Sequence, residues 1–214
     1  VGDGPTLGFG EISSEYAPSY AALAIGTSGT TGTSKEVLLA STALISSAKA
    51  SNKFLGAQSG DTWSLLLPLT HIAAVNVIIR SMELGTTPID LRDCGGEYPK
   101  ANYTAIVPTQ LFRALNGDQR LLSHLKSTKA VLVGGAALSQ TLRNQAESAG
   151  IKVITTYGMT ETSGGCVYDG VALEGIEIEI RQGKICIKGP VLASSIPLID
   201  GWFVTNDLGE FNND

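Results

Sequence analysis

TSGTTGTSK, residues 27–35, is the segment around which the rest of the sequence is arranged. It combines two glycines, six hydroxyl side chains and a closing lysine, and it contains no apolar residue. Apolar runs flank it, at residues 21–25 and 37–40. Glycine permits backbone conformations that aim successive N–H groups at one point, and hydroxyl groups add further donors. The segment therefore predicts an anion-binding loop between two strands, and a phosphate chain is the expected anion.

Composition alone also allows a second interpretation of this segment, a mobile Gly/Ser/Thr linker. The apolar flanks and the closing Lys35 favour the anion-binding loop. The loop is not a Walker A motif, which requires Gly, four residues and then Gly-Lys-Ser/Thr, because Lys35 follows Ser34 and precedes Glu36. Its glycines are three residues apart throughout, which also differs from the dinucleotide-binding fingerprint.

Strands and helices are predicted to alternate after the loop, from the spacing of apolar residues and from capping and breaking residues. The predicted helices are 41–55, with Ser41 or Thr42 as N-cap, 72–84, 109–115 and 139–149, and the predicted strands are 63–67, 87–91, 103–107, 130–133 and 152–156. Alternation of this kind indicates stacked βα units around a largely parallel sheet, an α/β fold.

The pattern changes from Cys166 onward. Isoleucines alternate with period two over residues 176–180 and again over 185–187, with Gln182-Gly183 between the two runs. This arrangement predicts an antiparallel hairpin. We therefore expect two regions, an α/β region over residues 1–164 and a small antiparallel β subdomain at the C-terminal end, over residues 165–214.

The composition limits the classes of function. At 43% hydrophobic and 16% charged residues, the 214 residues suffice for one large domain with a core. A net charge of −5 without a basic stripe argues against a nucleic-acid partner. Cys94, Cys166 and Cys186 lack disulfide-scaffold or zinc spacing, which indicates a reducing, cytoplasmic environment. The most apolar stretch, residues 65–79, is too short and too polar to span a bilayer, so no membrane span is expected.

A second polar segment, YGMTE at residues 157–161, directly follows a predicted strand. Ligands of open α/β sheets gather at the carboxyl ends of strands, so a site is expected here. Glu161 could ligate a Mg²⁺ held between phosphate oxygens, Thr160 could donate to a phosphate, and Tyr157 offers a flat face for a purine. Taken alone, the segment is equally explained as a helix start, with Thr160 as N-cap and Glu161 favoured by the helix dipole.

Two further positions are ambiguous on local grounds. Asp207, in GWFVTNDLGEF, is a lone carboxylate near a strand end, and an aspartate in a turn explains it as well. Gly134, Gly135 and Ala136 follow a predicted strand, where they could line a ligand with main chain or form a plain strand-to-helix turn.

Together these segments resemble the three signatures of the adenylate-forming superfamily, which comprises acyl-CoA synthetases, adenylation domains and luciferases. The first signature is Ser/Thr-Ser-Gly-Ser/Thr-Thr-Gly-x-Pro-Lys-Gly, from which this chain departs with Ser34 for proline and Glu36 for glycine. Both departures lie at the rim, where we expect a slightly less rigid loop. YGMTE matches the second signature, and Asp207 matches the third, with Asn206 in place of the usual glycine or serine.

The resemblance implies an enzyme that uses ATP and Mg²⁺ to convert a carboxylic acid into an acyl-adenylate, from which CoA takes the acyl group as a thioester. It implies Lys35, Thr160 and Glu161 as catalytic residues, with Glu161 also as metal ligand. The implied ATP- and AMP-binding residues are Thr27, Ser28, Gly29, Thr30, Thr31, Gly32, Lys35, Gly134, Gly135, Ala136, Tyr157, Gly158, Thr160 and Asp207. Residues 1–164 would then form the ATP- and acyl-binding region.

His71 and Arg80 are the polar residues that stand out in and beside the apolar helix predicted at 72–84. Arg80 could be exposed and paired with Glu83 three positions on, which would contribute little to stability. His71 could be a hydrogen-bonded core histidine. The functional interpretation is that both hold a second carboxylate of the substrate.

Three segments, PLTHIAA, VPTQL and YGMTETSGGCVYDG, resemble the branch of the superfamily that activates o-succinylbenzoate in menaquinone biosynthesis. Its substrate is a dicarboxylate, so one carboxylate is activated while the other needs a basic partner. The resemblance implies this role for His71 and Arg80. It implies that Thr109, Ser163, Gly164 and Gly165 complete the wall of the acyl site. Thr70 stands where this branch usually has another histidine.

Two other functions are compatible with the sequence, a non-catalytic nucleotide-binding module and an adenylating enzyme for a fatty, aryl or amino acid. Superfamily members carry a mobile C-terminal domain after the third signature, and this chain is expected to lack it. We therefore expect the polypeptide to bind its ligands but to turn over poorly. A homo-oligomer is also compatible with the sequence.

Overall fold

The computed structural model describes residues 4–28 and 34–211, which form five α-helices and thirteen β-strands in three sheets. In chain order these are β1 (Leu7–Phe9), β2 (Ala21–Ser28), β3 (Ser34–Ala40), α1 (Ser41–Leu55), β4 (Trp63–Leu65), α2 (Ile72–Glu83), β5 (Ile89–Asp90), β6 (Tyr103–Ile106), α3 (Pro108–Leu115), α4 (Gln119–Ser127), β7 (Ala130–Val133), α5 (Gln140–Ser148), β8 (Val153–Met159), β9 (Gly164–Tyr168), β10 (Val171–Ala172), β11 (Glu177–Arg181), β12 (Lys184–Lys188) and β13 (Phe203–Leu208). The predicted α/β fold is confirmed.

The central sheet has seven strands in the order β10-β9-β8-β7-β6-β4-β5. Strands β5, β4, β6, β7 and β8 are parallel to one another, and β9 and β10 add an antiparallel edge. Strands β4, β6 and β7 are buried along their whole length, because helices cover both faces of the sheet. Their carboxyl ends lie at one edge of the sheet. The glycine-containing segment at residues 134–136 begins at this edge.

Side chains of the parallel strands alternate between two cores. On one face, Ala105, Leu132 and Ile154 belong to the cluster that includes residues of α1 and α2. On the other face, Ile106 and Val131 belong to the cluster beneath α3, α4 and α5. This burial on both faces fixes the register of the sheet.

The two smaller sheets have three strands each. In the first, β2 and β3 form an antiparallel hairpin around residues 29–33, and β1 lies parallel to β2. In the second, β11, β12 and β13 are antiparallel, and the hairpin predicted at Gln182-Gly183 is confirmed. Strands β9 and β10 also follow residue 163 but hydrogen-bond within the central sheet. The division into regions 1–164 and 165–214 stays a prediction.

Three local predictions need correction. The N-cap of α1 is Ala40 and no side chain caps the helix, because β3 runs directly into α1 and leaves neither Ser41 nor Thr42 in the extended capping position. Helix α4 was not predicted, although its N-cap Asp118 accepts a hydrogen bond from the main-chain N–H of Leu121. Strand β8 runs on to Met159, since its second half pairs with β9.

The buried histidine of this fold is His124 on α4, which is 3% exposed. Its Nε2 lies 2.8 Å from Oγ of Ser64 on β4, and its ring meets Tyr98 edge-on at 5.5 Å between centroids. Burial lowers the pKa of the His124 imidazole, because the charged form loses its hydration. The side chain is therefore neutral at pH 7.

We expect the free energy of unfolding to fall as the pH is lowered below about 7. An unfolded histidine titrates near pH 6.5, above His124 in the folded protein, so the unfolded state binds the proton first. The stability that neutral His124 confers is complete above about pH 6.5 and is lost as the pH falls towards its lowered folded pKa. A single proton sets an upper limit of about 1.4 kcal/mol per pH unit on this slope. Urea unfolding at several pH values measures it.

His124→Gln should remove this slope, and His71→Gln should leave it intact. These are the two histidines of the chain, and His71 is exposed, so it serves as the matched control. A slope that survives in His124→Gln would contradict the assignment.

Candidate functional site

A cavity of about 890 Å³ lies at the carboxyl ends of the parallel strands. Its floor comes from the ends of β4, β6, β7 and β8, one wall from the β2–β3 hairpin and another from α2. This volume is typical of a site for a small molecule or cofactor. The predicted site residues that line it are Thr27, Lys35, His71, Arg80, Gly134, Gly135, Gly158, Thr160, Glu161, Gly164 and Gly165.

The remaining predicted residues lie elsewhere or are not described. Gly29, Thr30, Thr31 and Gly32 are outside the described residues, and Ser28 is described only as part of β2. Tyr157 and Asp207 lie beside the cavity. Ala136, Thr109 and Ser163 are not among the residues that line it.

The loop lysine and the YGMTE glutamate meet at this cavity. Nζ of Lys35 lies 3.5 Å from Oε1 of Glu161, although the residues are 126 positions apart. Glu161 belongs to a short 3₁₀ turn, Thr160–Thr162, and its carbonyl accepts a hydrogen bond of 2.8 Å from the N–H of Ala193. The segment is therefore not the N-capped α-helix start that the sequence also allowed. The side chain of Lys35 is 52% exposed and that of Glu161 17%, so this side of the cavity is open to solvent.

Tyr157 and Asp207 form a second pair near the same edge. The Tyr157 hydroxyl donates to Oδ2 of Asp207 at 2.9 Å. Burial raises the pKa of the Tyr157 phenol, so it remains a donor at neutral pH. Asp207 is exposed on β13 and is not part of a turn, and its neighbour Asn206 lines the cavity with Thr160.

Crowding explains the glycines of this region. A Cβ on Gly158 would lie 2.1 Å from the carbonyl oxygen of Gly164, where β8 and β9 approach each other. Gly164 has a positive φ of 98°, and its Cβ would lie 2.0 Å from Nδ2 of Asn76. No side chain fits at these positions, so the cavity here is lined by main chain.

Ser163 connects the turn to its surroundings instead of facing the cavity. It is fully buried with a left-handed φ of 52°, and its hydroxyl donates to the carbonyl of Val191 at 2.7 Å. Its own carbonyl accepts from Oγ of Ser47 on α1 and Nδ2 of Asn76 on α2. These three partners fix the turn that carries Glu161, and sequence reasoning singled out none of them.

Arg80 is a buried cation on the cavity wall, 3% exposed. Its Nη2 donates to the Tyr168 hydroxyl at 2.9 Å, and its guanidinium lies 5.0 Å from the Trp63 ring centroid. Its Nε has no hydrogen-bond partner, and no carboxylate in the described part of the chain forms an ion pair with it. The alternative of an exposed pair with Glu83 is wrong, because Arg80 falls on the packed face of α2. A buried cation unpaired among the described residues suits the anionic group of a ligand in the cavity.

His71 is exposed at the start of α2 and lines the same cavity. The alternative of a hydrogen-bonded core histidine is therefore wrong for His71.

Residues 10–196 match the family of AMP-binding enzymes. The chain belongs to that family. The resemblance to the adenylate-forming superfamily is thereby confirmed. The chain is 40% identical over 209 residues to a probable 2-succinylbenzoate–CoA ligase of Mycobacterium tuberculosis. The match covers 88% of this chain and 54% of the relative. The chain is also 31% identical over 206 residues to the 2-succinylbenzoate–CoA ligase of Escherichia coli, covering 87% and 45%.

Solved structures of AMP-binding enzymes also resemble this family member. The o-succinylbenzoate coenzyme A synthetase (MenE) of Bacillus subtilis, in complex with ATP and magnesium ion, superposes with a TM-score of 0.80 at 26% identity, covering 90% of this chain and 48% of that one. The chain spans about half the length of the curated relatives it matches.

The side chains at the cavity suit a metal that arrives with a nucleotide. Among the described residues, no group of three or more His, Cys, Asp or Glu side chains could hold an ion unaided. Glu161 presents a carboxylate at the cavity, and Mg²⁺ is commonly bound by one or two carboxylates together with phosphate oxygens and water.

None of the helices in the described ranges is long and apolar enough to cross a membrane.

Proposed function

We propose that the chain forms the ATP- and acyl-binding part of an AMP-forming acid–CoA ligase whose acid is o-succinylbenzoate. The observation that carries the proposal is that one cavity holds two complementary features. The solvent-open side has the Lys35–Glu161 pair, and the wall has the buried Arg80, which has no carboxylate partner among residues 4–28 and 34–211. The first suits a nucleotide phosphate chain with its metal, and the second suits a carboxylate.

In this proposal the β2–β3 hairpin, including residues 28–32, wraps the phosphates of ATP. Lys35 and Thr160 stabilise the charge that develops as the substrate carboxylate attacks the α-phosphate and pyrophosphate leaves. Mg²⁺ held by Glu161 would neutralise the phosphate charge. Tyr157 and Asp207 bind the nucleoside, and Gly134, Gly135 and Ala136 bound the base. CoA then displaces AMP through its thiol in a protein of the relatives' full length.

The proposed acid follows from the charge requirement of Arg80. Activation uses one carboxylate, and a second carboxylate would satisfy the buried guanidinium, with His71 close to the mouth of the same cavity. A monocarboxylate would leave Arg80 unpaired and buried, which costs free energy. The 2-succinylbenzoate–CoA ligases among the relatives support this choice, and a role in menaquinone biosynthesis would follow from it. Gly164 and Gly165 are proposed to bound the acyl group, whereas Thr109 and Ser163, which do not line the cavity, would support it indirectly.

Pyrophosphate release from ATP tests the activity. Extending the chain to its relatives' full length should raise the o-succinylbenzoate-dependent rate by at least about 100-fold over that of the 214-residue chain. The reason is that about half of each relative lies outside the matched part and would supply further groups to the adenylate. Benzoate, with a single carboxylate, is the control acid and should support little release. Equal rates for both lengths, or no dependence on the acid, would contradict the proposal.

A further inference from the structure

Glu36, the residue directly after Lys35, is tied to the N-terminal segment by four hydrogen bonds. Its Oε1 accepts from the N–H of Ser13 at 2.6 Å, the hydroxyl of Ser13 at 2.8 Å and the N–H of Ser14 at 3.1 Å. Its Oε2 accepts from the Ser14 hydroxyl at 2.6 Å. Donation from Ser14 and Ser13 lowers the pKa of the Glu36 carboxyl to about 2, so the acceptor is ionised at neutral pH.

The fastened segment, residues 10–14, passes directly over the hairpin. Gly26 is paired with Glu36 in the β2–β3 register, and a Cβ on Gly26 would lie 2.3 Å from the carbonyl oxygen of Glu11. Gly10 has a φ of 79°, and its Cβ would lie 2.9 Å from the carbonyl oxygen of Gly26. The N-terminal segment and strand β2 therefore touch through their main chains, without intervening side chains. This contact places Glu11 on the cavity wall together with Thr27 and Lys35.

Neighbouring residues of a strand point to opposite faces, so the two side chains of this pair do different things. Lys35 reaches Glu161 at the cavity, and Glu36 holds Ser13 and Ser14 on the other side. Holding the strand through Glu36 therefore constrains the main chain from which Lys35 projects towards the cavity. A pre-oriented lysine loses less conformational freedom when it meets a phosphate.

We infer that Glu36 is a positioning residue for nucleotide binding, because it fastens residues 10–14 across the hairpin that carries Lys35. The inference rests on the proposed function, since it concerns ATP at the same site. The superfamily signature has glycine at this position, so the fastening belongs to this chain's own sequence and not to that motif.

Glu36→Gln removes the charge with little change in shape, and two measurements read out its effect. Hydrogen exchange at the Ser13 and Ser14 amides should become at least about tenfold faster, because these N–H groups lose a charged acceptor. The Kd for ATP with Mg²⁺, from isothermal titration of the same protein, should rise about five- to tenfold, as for loss of a charge-assisted hydrogen bond. Replacing both Ser13 and Ser14 with alanine should raise the Kd similarly.

Glu15→Gln is the matched control, because Glu15 is an exposed acid beside the same serines with no side-chain bond or ion pair in the described ranges. It should change neither quantity. Unchanged amide exchange in Glu36→Gln would overturn the fastening, and faster exchange with an unchanged Kd would overturn the positioning role. If the wild-type chain bound no ATP, the proposed function would fail, and with it the positioning role, whereas amide exchange would still decide whether Glu36 holds the segment.

Discussion

Replacing Arg80 with glutamine should lower the affinity for an o-succinylbenzoyl-adenylate analogue by about 30- to 1000-fold, which corresponds to about 2–4 kcal/mol. The size of the effect follows from burial. In the proposed function, a guanidinium that is 3% exposed and unpaired among the described residues would form a desolvated ion pair with the second carboxylate. Glutamine leaves that carboxylate buried without a counter-charge. Isothermal titration with the analogue measures the change.

ATP affinity in the same variant is the internal control, because Arg80 is not proposed to contact the nucleotide. A folded Arg80→Gln protein should keep its affinity for ATP within about threefold, which corresponds to less than 1 kcal/mol. Arg92→Gln, at an exposed arginine paired with Asp90, should leave the affinity for the analogue unchanged. Arg80→Lys should restore only part of it, because lysine lacks the planar fork. An unaltered affinity of Arg80→Gln for the analogue would refute the dicarboxylate site.

Glu161→Gln should reduce adenylation by about 10²–10³-fold, the effect typical of removing one preorganised charge-stabilising group. The variant loses the carboxylate proposed to hold Mg²⁺ and the partner of Lys35 at 3.5 Å. Pyrophosphate release as a function of Mg²⁺ concentration, in the chain extended to its relatives' length, measures the loss.

The matched control is Glu147→Gln, at a half-exposed glutamate of α5 that pairs with Arg143, neither of which lines the cavity. This variant should retain the rate and its dependence on Mg²⁺. If Glu161→Gln also retained both, the metal would have to be held by other groups.

Most of the fold could be predicted, because burial on both faces leaves parallel strands as short apolar runs between helices. Strand β7 and helix α1 have the predicted bounds. Pairing between strands that are distant in the sequence could not be predicted from local patterns. Strand β8 runs beyond the predicted end at residue 156 to Met159 because β9 returns beside it. Helix α4 was missed because it is only nine residues long and follows α3 closely in the sequence.

The site shows the same division between what is local and what is not. The resemblance to known signatures predicted that Lys35 and Glu161 serve one ligand, and the structure brings their side chains within 3.5 Å. The environment of Arg80 on α2 could not be inferred, because Trp63 and Tyr168 contact it from strands β4 and β9, which are distant in the sequence. Ser163 was expected on the acyl wall, but three long-range hydrogen bonds turn it away. The contacts of Glu36 with Ser13 and Ser14 likewise have no signal in the local sequence.

The most direct measurement is a pair of isothermal titrations of the unaltered chain, one with the acyl-adenylate analogue of o-succinylbenzoate and one with the corresponding fatty-acyl analogue. The two ligands share the nucleotide, and of the two acyl groups only o-succinylbenzoyl carries a second carboxylate. We predict that the o-succinylbenzoyl analogue binds at least about 30-fold more tightly, because only it pairs with Arg80. Equal affinities, or tighter binding of the fatty-acyl analogue, would contradict the account.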